Sequence, residues 1–530
     1  MVPDTALRSL YIKDSKRMVR KIFISLNRDK LSKIIGFLVF ATLLVNIFCK
    51  VTYLFRNVGY NRTHIVGIKH ENDLDMVYIG GSAAFMYWQP LKAWNDCGFT
   101  SYNYATDTIQ AESIKAYVEE VRTCQNPDLF VIGVRAFQYY SDGPAEAGLR
   151  DSTDEMDISS VARYRLLSDY FDNRILPDDT DVVSYYFDIA KYHTNTDNLG
   201  SSTAWSFRNN EGISPEKGWE WKNEYAYLEE PVDFHTEERA ELPANAMKIL
   251  KDLLSYCCDE ELKVLFVVCP YYLTAADQAM YNTIGDIVES YGFAYLNANE
   301  YYDEMGLDFT TDFYNKNHVN LFGAEKYTEF LENYIMQNYR LEDHRGDAAY
   351  DSWDAAYQNF CREEEGHAII VAGLKTNVEK TADITKQMQK AESLAEWNEL
   401  AEDARFTLLI GSTGELSWPH NYADQGVLTS WGFSQNNLAS QIRVVNNGEV
   451  VFSNEADGTL TTEGRLGVWR DILYQLSVEN DECSIVIDEE KMETEENAIN
   501  IIVFDNNYRK VVGEATIVCD ENGKMEIDYM

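Results

Sequence analysis

Paired cysteine motifs are absent from this chain, and so are the glycine-rich loops that bind phosphate groups. The nine cysteines are an odd number at irregular spacing, so they predict no disulfide framework, and no Cys-X-X-Cys pair indicates zinc. No cluster of histidine and aspartate has the spacing of a metal site, and no dinucleotide-binding fingerprint occurs. We therefore predict neither a metal ion nor a cofactor.

Positive charge is also scarce. The 530 residues include 46 Lys and Arg against 87 Asp and Glu, which gives a formal net charge of −41. A surface this acidic repels a phosphate backbone, so nucleic acid is excluded as a partner. The acidity is typical of a well-solvated surface, and attraction to cations or to a basic partner is the alternative.

The basic residues gather at the start, before one long apolar stretch. Residues 1–33 hold nine basic and three acidic residues, and an apolar segment follows at 34–55. Its uninterrupted part is slightly short for a membrane span, but the aliphatic stem of Lys50 can extend it. No small-residue cleavage site follows, which favours an uncleaved anchor over a signal peptide. We predict a single-pass cell-membrane protein with residues 1–33 in the cytoplasm and the bulk of the chain outside.

From residue 70 to residue 338, short apolar runs alternate with amphipathic helical patterns. The runs lack polar alternation, which is typical of strands buried on both faces. Alternating strands and helices predict an α/β fold with a parallel sheet that is covered by helices on both faces. Residues 150–235 interrupt the pattern and are predicted as an insertion that lines the active-site cleft. The predicted strands lie at 76–79, 129–134, 264–268 and 293–296.

After residue 338 the sequence pattern changes. Residues 339–365 are polar and charged and are predicted as a linker. Residues 366–530 are predicted to form a β-rich α+β domain with a helix over 379–404. Its predicted strands include 368–371, 406–410, 484–487, 499–504, 516–518 and 525–528, with a hairpin over 442–452 that turns at an Asn-Asn-Gly sequence.

Two residues far apart in the chain suggest nucleophilic catalysis. Ser82 follows the first predicted strand in the sequence DMVYIGGS (75–82), and His318 precedes a predicted helix in DFYNKNHVNLFGA (312–324). Ligands of parallel sheets bind at the carboxyl ends of the strands, where Ser82 falls. A serine needs an adjacent base to become a nucleophile, and histidine is the usual one. A capping serine and a loop histidine are the structural alternatives.

These motifs, together with SYNYA (101–105) and residues 131–135, resemble the SGNH family of serine hydrolases and acyltransferases. The resemblance covers about half of the chain. It is strongest to membrane-anchored bacterial members similar to the D-alanine transfer protein of teichoic acid. It implies a flavodoxin-like sheet, a nucleophilic Ser82 and the base His318.

The resemblance also assigns supporting roles. Gly81 and Asn103 would help to form the oxyanion hole, and His193 resembles a substrate-contacting tyrosine-histidine signature. The family places an aspartate three residues before the histidine, where this chain has Asn315. An amide oxygen can accept the imidazole N–H but cannot stabilise imidazolium by charge. Asp312 could supply the missing carboxylate instead.

The function expected from this resemblance is O-acyl transfer to a cell-wall or exported polysaccharide through an acyl-Ser82 intermediate. The expected partners are that polysaccharide, the membrane through residues 34–55 and a multi-span acyl-export protein. A carbohydrate esterase of the same fold, a deacetylase, is one alternative. A catalytically degenerate protein of the cell envelope, which binds glycan or acts as a scaffold, is the other.

Overall fold

The computed structural model describes most of the chain. The described residues are 28–55, 61–196, 212–232, 234–403, 405–414, 416–435, 440–455, 459–467, 472–479, 482–488, 490–520 and 522–529. The predicted cytoplasmic segment 1–33 therefore lies mostly outside the described residues.

A five-stranded parallel sheet forms the centre of the first region. Its strands are β1 (Met76–Gly80), β2 (Ser101–Ala105), β3 (Leu129–Gly133), β4 (Val264–Val268) and β5 (Ala294–Asn297). The order β2-β1-β3-β4-β5 is that of doubly wound, flavodoxin-like sheets. Every residue of β1, β2 and β4 is buried, because helices cover both faces. The predicted α/β class is confirmed.

Helices connect these strands, and a short two-stranded ribbon follows them. Among the described residues up to 338, the α-helices are α1 (Arg28–Phe55), α2 (Asn61–Val66), α3 (Ser82–Phe85), α4 (Pro90–Cys97), α5 (Ala111–Val121), α6 (Arg135–Gln138), α7 (Glu146–Thr153), α8 (Val161–Asn173), α9 (Val182–Tyr186), α10 (Asp188–Tyr192), α11 (Ala244–Asp259), α12 (Ala275–Ser290), α13 (Tyr302–Met305) and α14 (Leu321–Asn338). The ribbon pairs β6 (Phe313–Asn315) with β7 (His318–Val319).

Capping and turn residues explain where several of these helices begin and end. Thr274 and Asp277 form a reciprocal capping box at the start of α12, and the side chain of Asn320 caps α14. Gly98 ends α4 in the left-handed conformation that glycine adopts without strain. These local signals set the element boundaries around the sheet.

Among its described residues, the insertion at 150–235, between β3 and α11, supplies no side chain to the pocket beside Ser82, in contrast to the prediction. Its helices α7 to α10 precede an irregular segment, which is described over 212–232. That segment reaches the ribbon, where Ala226 bridges Phe313, and the carbonyl of Lys222 accepts a hydrogen bond from the N–H of Leu321 at 3.3 Å. The described residues 212–232 therefore pack against the ribbon of β6 and β7, whereas helix α8 of the insertion packs on α5.

Residues 34–55, predicted as a transmembrane anchor, lie in the single helix α1. Searched over the described residues, the chain contains no helix that combines the length and apolarity needed to cross a membrane, so the prediction is unsupported.

One long helix, α15 (Asp351–Met388), covers residues that were predicted as a linker and as a strand. The predicted strand at 368–371 is wrong, because these residues are helical. Most of the segment predicted as a linker also belongs to α15. Val371 and Val378 pack against residues of the first region, and the tertiary contact of this one helical face overrides the local β-branched pattern.

The C-terminal region is β-rich, as predicted. After α16 (Leu394–Ala401), β8 (Phe406–Ser412) and α17 (Tyr422–Ser430), the strands are β9 (Gln441–Asn446), β10 (Glu449–Glu455), β11 (Leu460–Leu466), β12 (Ile472–Glu479), β13 (Glu482–Ile487), β14 (Glu490–Lys491), β15 (Ile499–Asp505), β16 (Lys510–Cys519) and β17 (Met525–Tyr529). An antiparallel six-stranded sheet, β10-β9-β8-β15-β16-β17, packs on the four-stranded sheet β11-β12-β13-β14. The hairpin predicted over 442–452 is confirmed as β9 and β10.

Candidate active site

The candidate site lies where the strand order of the parallel sheet reverses. Ser82 follows β1 directly, and Arg135 follows β3, the neighbouring strand on the other side of the switch. Crevices at such switch points are the usual ligand sites of doubly wound sheets. The two strand ends therefore supply one nucleophilic side chain and one cation to the same crevice.

Ser82 and His318 meet at this rim although 236 positions separate them in the chain. The Ser82 Oγ lies 2.7 Å from the His318 Nε2, which is a short hydrogen bond. Ser82 is the first residue of α3, and His318 is the first residue of β7. The structure thus brings together the two side chains that the sequence singles out.

Asn315 stands behind the imidazole and determines which nitrogen carries the proton. Its Oδ1 lies 3.2 Å from the His318 Nδ1 and also accepts the N–H of Asn317 at 2.8 Å. A backbone N–H can be accepted only by the oxygen of the amide, so the oxygen faces the ring. The Nδ1 must then carry the proton, which leaves the Nε2 lone pair for the Ser82 hydroxyl.

The turn before His318 is anchored on residues that follow α3 and β3. The carbonyl of Asn317 accepts hydrogen bonds from the Tyr87 hydroxyl and from the Arg135 guanidinium, both at 3.0 Å. The Tyr314 ring stacks on the imidazole, with 5.3 Å between ring centroids and an angle of 14° between planes. The hydrogen bonds hold the turn and the stacking holds the plane of the ring, which directs the imidazole toward Ser82.

The surroundings keep His318 neutral. Burial, together with the positive charges of Arg135 and Lys222, lowers the pKa of His318 from 6.5 to about 3. A neutral imidazole is the form that can accept the serine proton. The same surroundings disfavour the imidazolium that forms when it does.

Close packing at the end of β1 shapes the turn that carries Ser82. A Cβ on Gly80 would lie 3.0 Å from the Ala84 Cβ, and a Cβ on Gly81 would lie 3.0 Å from the Ile109 Cγ2. The two glycines therefore let α3 start immediately at the strand end. The Ser82 N–H stands at the start of α3, where no preceding helical turn supplies an acceptor, so it is suited to an oxyanion.

The buried thiol of Cys269 contacts this turn. The Cys269 thiol donates to the Ala83 carbonyl at 3.1 Å and contacts the hydroxyls of Tyr78 and Tyr327 at 2.9 Å and 3.5 Å. Burial raises the pKa of the Cys269 thiol, so it stays protonated and acts as a donor. Its position fixes α3 and hence the nucleophile.

A pocket of about 290 Å³ opens beside Ser82. That volume is near the lower end of small-molecule sites and holds a short acyl group together with part of an acceptor. Both apolar and polar side chains line the pocket. Among them are Ser82, Ile109, Arg135, Tyr139, Cys269 and His318.

The structure does not bring Asp312 to the imidazole as one hypothesis proposed. Its carboxylate accepts the N–H of Asp308 at 2.7 Å and pairs with the Lys326 ammonium at 2.7 Å. The Thr311 hydroxyl donates to the other oxygen at 2.7 Å. All of these contacts organise the loop, so Asn315, not Asp312, faces His318.

Asn103 and His193 are also not at the site. The Asn103 side chain is buried within β2 and donates to the Trp88 carbonyl at 2.8 Å, so it is directed into the core. His193 is exposed at the end of α10 and contacts the carbonyls of Ile189 and Ala190. Neither residue lines the pocket, because strand register and the fold of the insertion direct them elsewhere.

Arg135 is the site residue that sequence reasoning missed. In the sequence, Arg135 is marked only as the last residue of the third strand motif (131–135). The available signal was its position, because the residue that follows β3 reaches the same rim as the residue that follows β1. Searched over the described ranges, the chain has no group of three His, Cys, Asp or Glu side chains that could hold a metal ion.

Comparison with known proteins adds no relative: no protein-family model matches the chain, and no curated protein matches it significantly.

Proposed function

We propose that this protein is a serine-dependent O-acyltransferase that modifies a hydroxyl of a cell-wall or exported polysaccharide. The observation that carries the proposal is the 2.7 Å contact between the Ser82 Oγ and the His318 Nε2. The proposal includes membership in the SGNH family, attachment to the membrane through residues 34–55 and supply of acyl groups by a multi-span partner.

The geometry supports a two-step reaction. In the first step Ser82 attacks the acyl carbonyl, its proton passes to the His318 Nε2, and the leaving group departs with that proton. In the second step His318 takes the proton of an acceptor hydroxyl, the new oxygen attacks the acyl-serine, and the proton returns to Ser82. Asn315 holds the tautomer in both steps, and the Ser82 N–H supports the oxyanion.

An activated-serine probe tests the first step. We expect a fluorophosphonate to label Ser82 in the intact protein, with labelling lost in Ser82→Ala and reduced at least a thousandfold in His318→Ala. Ser159→Ala is a matched control, since Ser159 lies on the surface and bonds only Asp157. No labelling of the wild type between pH 5 and pH 9 would contradict the proposal.

Product analysis separates transfer from hydrolysis. With an acetyl ester as donor and a sugar oligomer as acceptor, a transferase forms acetylated oligomer, whereas a deacetylase releases only acetate. Exclusive release of acetate at saturating acceptor would establish the esterase alternative. Carbonate extraction of membranes from expressing cells, with residues 1–55 present or deleted, tests the attachment separately.

A specific observation favours a second candidate, a non-catalytic glycan-binding or scaffold protein of the envelope. The partner of His318 is an amide rather than a carboxylate, and the pKa of His318 is low, so the imidazolium receives little stabilisation. Under this alternative the pocket binds sugar without labelling of Ser82.

A further inference from the structure

We propose that Arg135 recognises an oxyanion, a carboxylate or phosphate group, on the substrate that enters the Ser82 pocket. That the bound molecule is a substrate rests on the proposed function, but binding of its anionic group to Arg135 does not require turnover. It names the chemical class of the group bound next to Ser82.

Arg135 is placed to meet a ligand. It lines the same pocket as Ser82 and His318. Its guanidinium lies 4.1 Å from the centroid of the Tyr271 ring, and one nitrogen donates to the Tyr139 hydroxyl at 3.3 Å. Stacking and the bond to the Asn317 carbonyl orient the planar group, so little freedom is left to lose on binding.

The guanidinium has no carboxylate partner among the described residues. Arg163 pairs with Asp188 at 2.8 Å, and Arg174 pairs with Glu112 at 2.8 Å. The groups that interact most strongly with Arg135 are tyrosines. In a chain with 87 acidic and 46 basic residues, a partly buried arginine without a counter-ion is unusual. The missing negative charge is the one that a ligand would bring.

Donors remain for that ligand. A guanidinium has five N–H groups, and the bonds to Asn317 and Tyr139 use two of them. The others can bind two oxygens of a carboxylate or phosphate in the paired geometry that arginine favours. The strongly acidic surface repels anions, so a local cation at the pocket is needed to hold an anionic group there.

Binding measurements on the Ser82→Ala protein test the inference without turnover. The probes are glycerol 3-phosphate, glucuronate and glucose, titrated by calorimetry at low and at 0.5 M salt. We expect both anions to bind more tightly than glucose and to weaken with salt. The anion that binds more tightly shows whether the group recognised by Arg135 is a phosphate or a carboxylate.

The variant Arg135→Gln should bind the tighter anion about ten- to a hundredfold more weakly and glucose unchanged, and Arg135→Lys should lie between. Arg239→Gln is the matched control, because Arg239 is a surface arginine paired with Asp286 at 3.0 Å. Its affinity for the anions should equal that of the parent.

Equal affinity for glucose and both anions in Ser82→Ala would overturn the inference, as would wild-type anion affinity in Arg135→Gln. If Arg135→Gln does not fold, the inference is still tested by the preference of Ser82→Ala for anions over glucose and by the salt dependence of anion binding. Failure of Ser82 labelling with intact anion binding would refute the acyl chemistry alone. Labelling of Ser82 without anion preference would refute the role of Arg135 alone.

Discussion

At the scale of single residues, the amide of Asn315 is the unusual feature of the site. It selects the productive imidazole tautomer, since its oxygen is held toward the ring by the Asn317 N–H. It carries no charge, however, and His318 already faces the fields of Arg135 and Lys222. The site is therefore arranged correctly but is weakly basic, which leads to two predictions.

The first prediction concerns Asn315→Asp. A carboxylate at this position would favour the imidazolium and raise the pKa of His318, so we expect fluorophosphonate labelling at pH 7 to become about tenfold faster or more. The rate is measured by fluorescence of the labelled protein. Asn315→Ala, which removes the acceptor for Nδ1–H, should slow labelling, and an unchanged rate in Asn315→Asp would refute the role given to this residue.

The second prediction concerns pH. The pKa of His318 is lowered to about 3 in the folded protein, so the base stays neutral far below pH 6.5. We expect the labelling rate to be constant from pH 7.5 to pH 5, whereas an ordinary histidine would lose about 30-fold over that range. In the unfolded chain the imidazole binds a proton below pH 6.5, so its contribution to stability is lost as the pH falls from 6.5 toward 3. A half-maximal rate near pH 6.5 would contradict the assignment.

At the scale of elements, the start of α14 positions the histidine loop. Gly323 lies in its first turn, and a Cβ there would come within 2.4 Å of the Asp312 carbonyl oxygen and 2.7 Å of the Val319 Cβ. The Asp312 carbonyl also accepts the Asn320 N–H at 2.8 Å. The approach of helix and loop therefore depends on a position without a side chain.

We expect Gly323→Ala to lower the free energy of unfolding by about 2 kcal/mol or more and to slow labelling of Ser82, because the loop must move. Chemical denaturation and labelling measure the two effects. Gly373→Ala is the matched control, since a Cβ there meets nothing within 4 Å inside α15. It should raise stability by about 0.5–1 kcal/mol. Equal effects of the two substitutions would contradict the packing argument.

At the scale of the whole molecule, α15 connects the parallel sheet region to the β-rich region. Val371 and Val378 are buried in a cluster with Tyr225 and Leu321, and Tyr508 from the β-rich region packs against it. Leu321 begins α14, three residues after His318. The contact between the two regions thus reaches the start of the helix that follows the base.

We expect Val371→Asp to cost about 3 kcal/mol or more, because it buries a carboxylate without a partner. Ile369→Asp, at a position that is 73% exposed on the same helix, should be nearly neutral. Thermal denaturation of both variants, followed by labelling at a temperature where each is folded, checks this. Comparable destabilisation by the two variants would show that the cluster does not stabilise the junction.

Local sequence was sufficient for much of the fold. The apolar runs and the Asn-Asn-Gly turn predicted most strands and the hairpin of β9 and β10, because hydrophobic period and turn chemistry act within a few residues. Local sequence was insufficient for residues 368–371, because their β-branched pattern predicts a strand although they belong to helix α15. Packing of one face of α15 against Leu321 outweighed that preference.

The amino-acid order by itself determined the α/β class, the β-rich C-terminal region and the two side chains, Ser82 and His318, that converge at one rim. Only the tertiary structure decided that Asn315 and not Asp312 faces the imidazole and that Asn103 is directed into the core. It also decided that Arg135 stands beside the nucleophile with no carboxylate partner in the part of the chain that the structure describes. The physical reason is that side-chain partners in a doubly wound sheet are set by crossover connections across hundreds of residues, which no local pattern records.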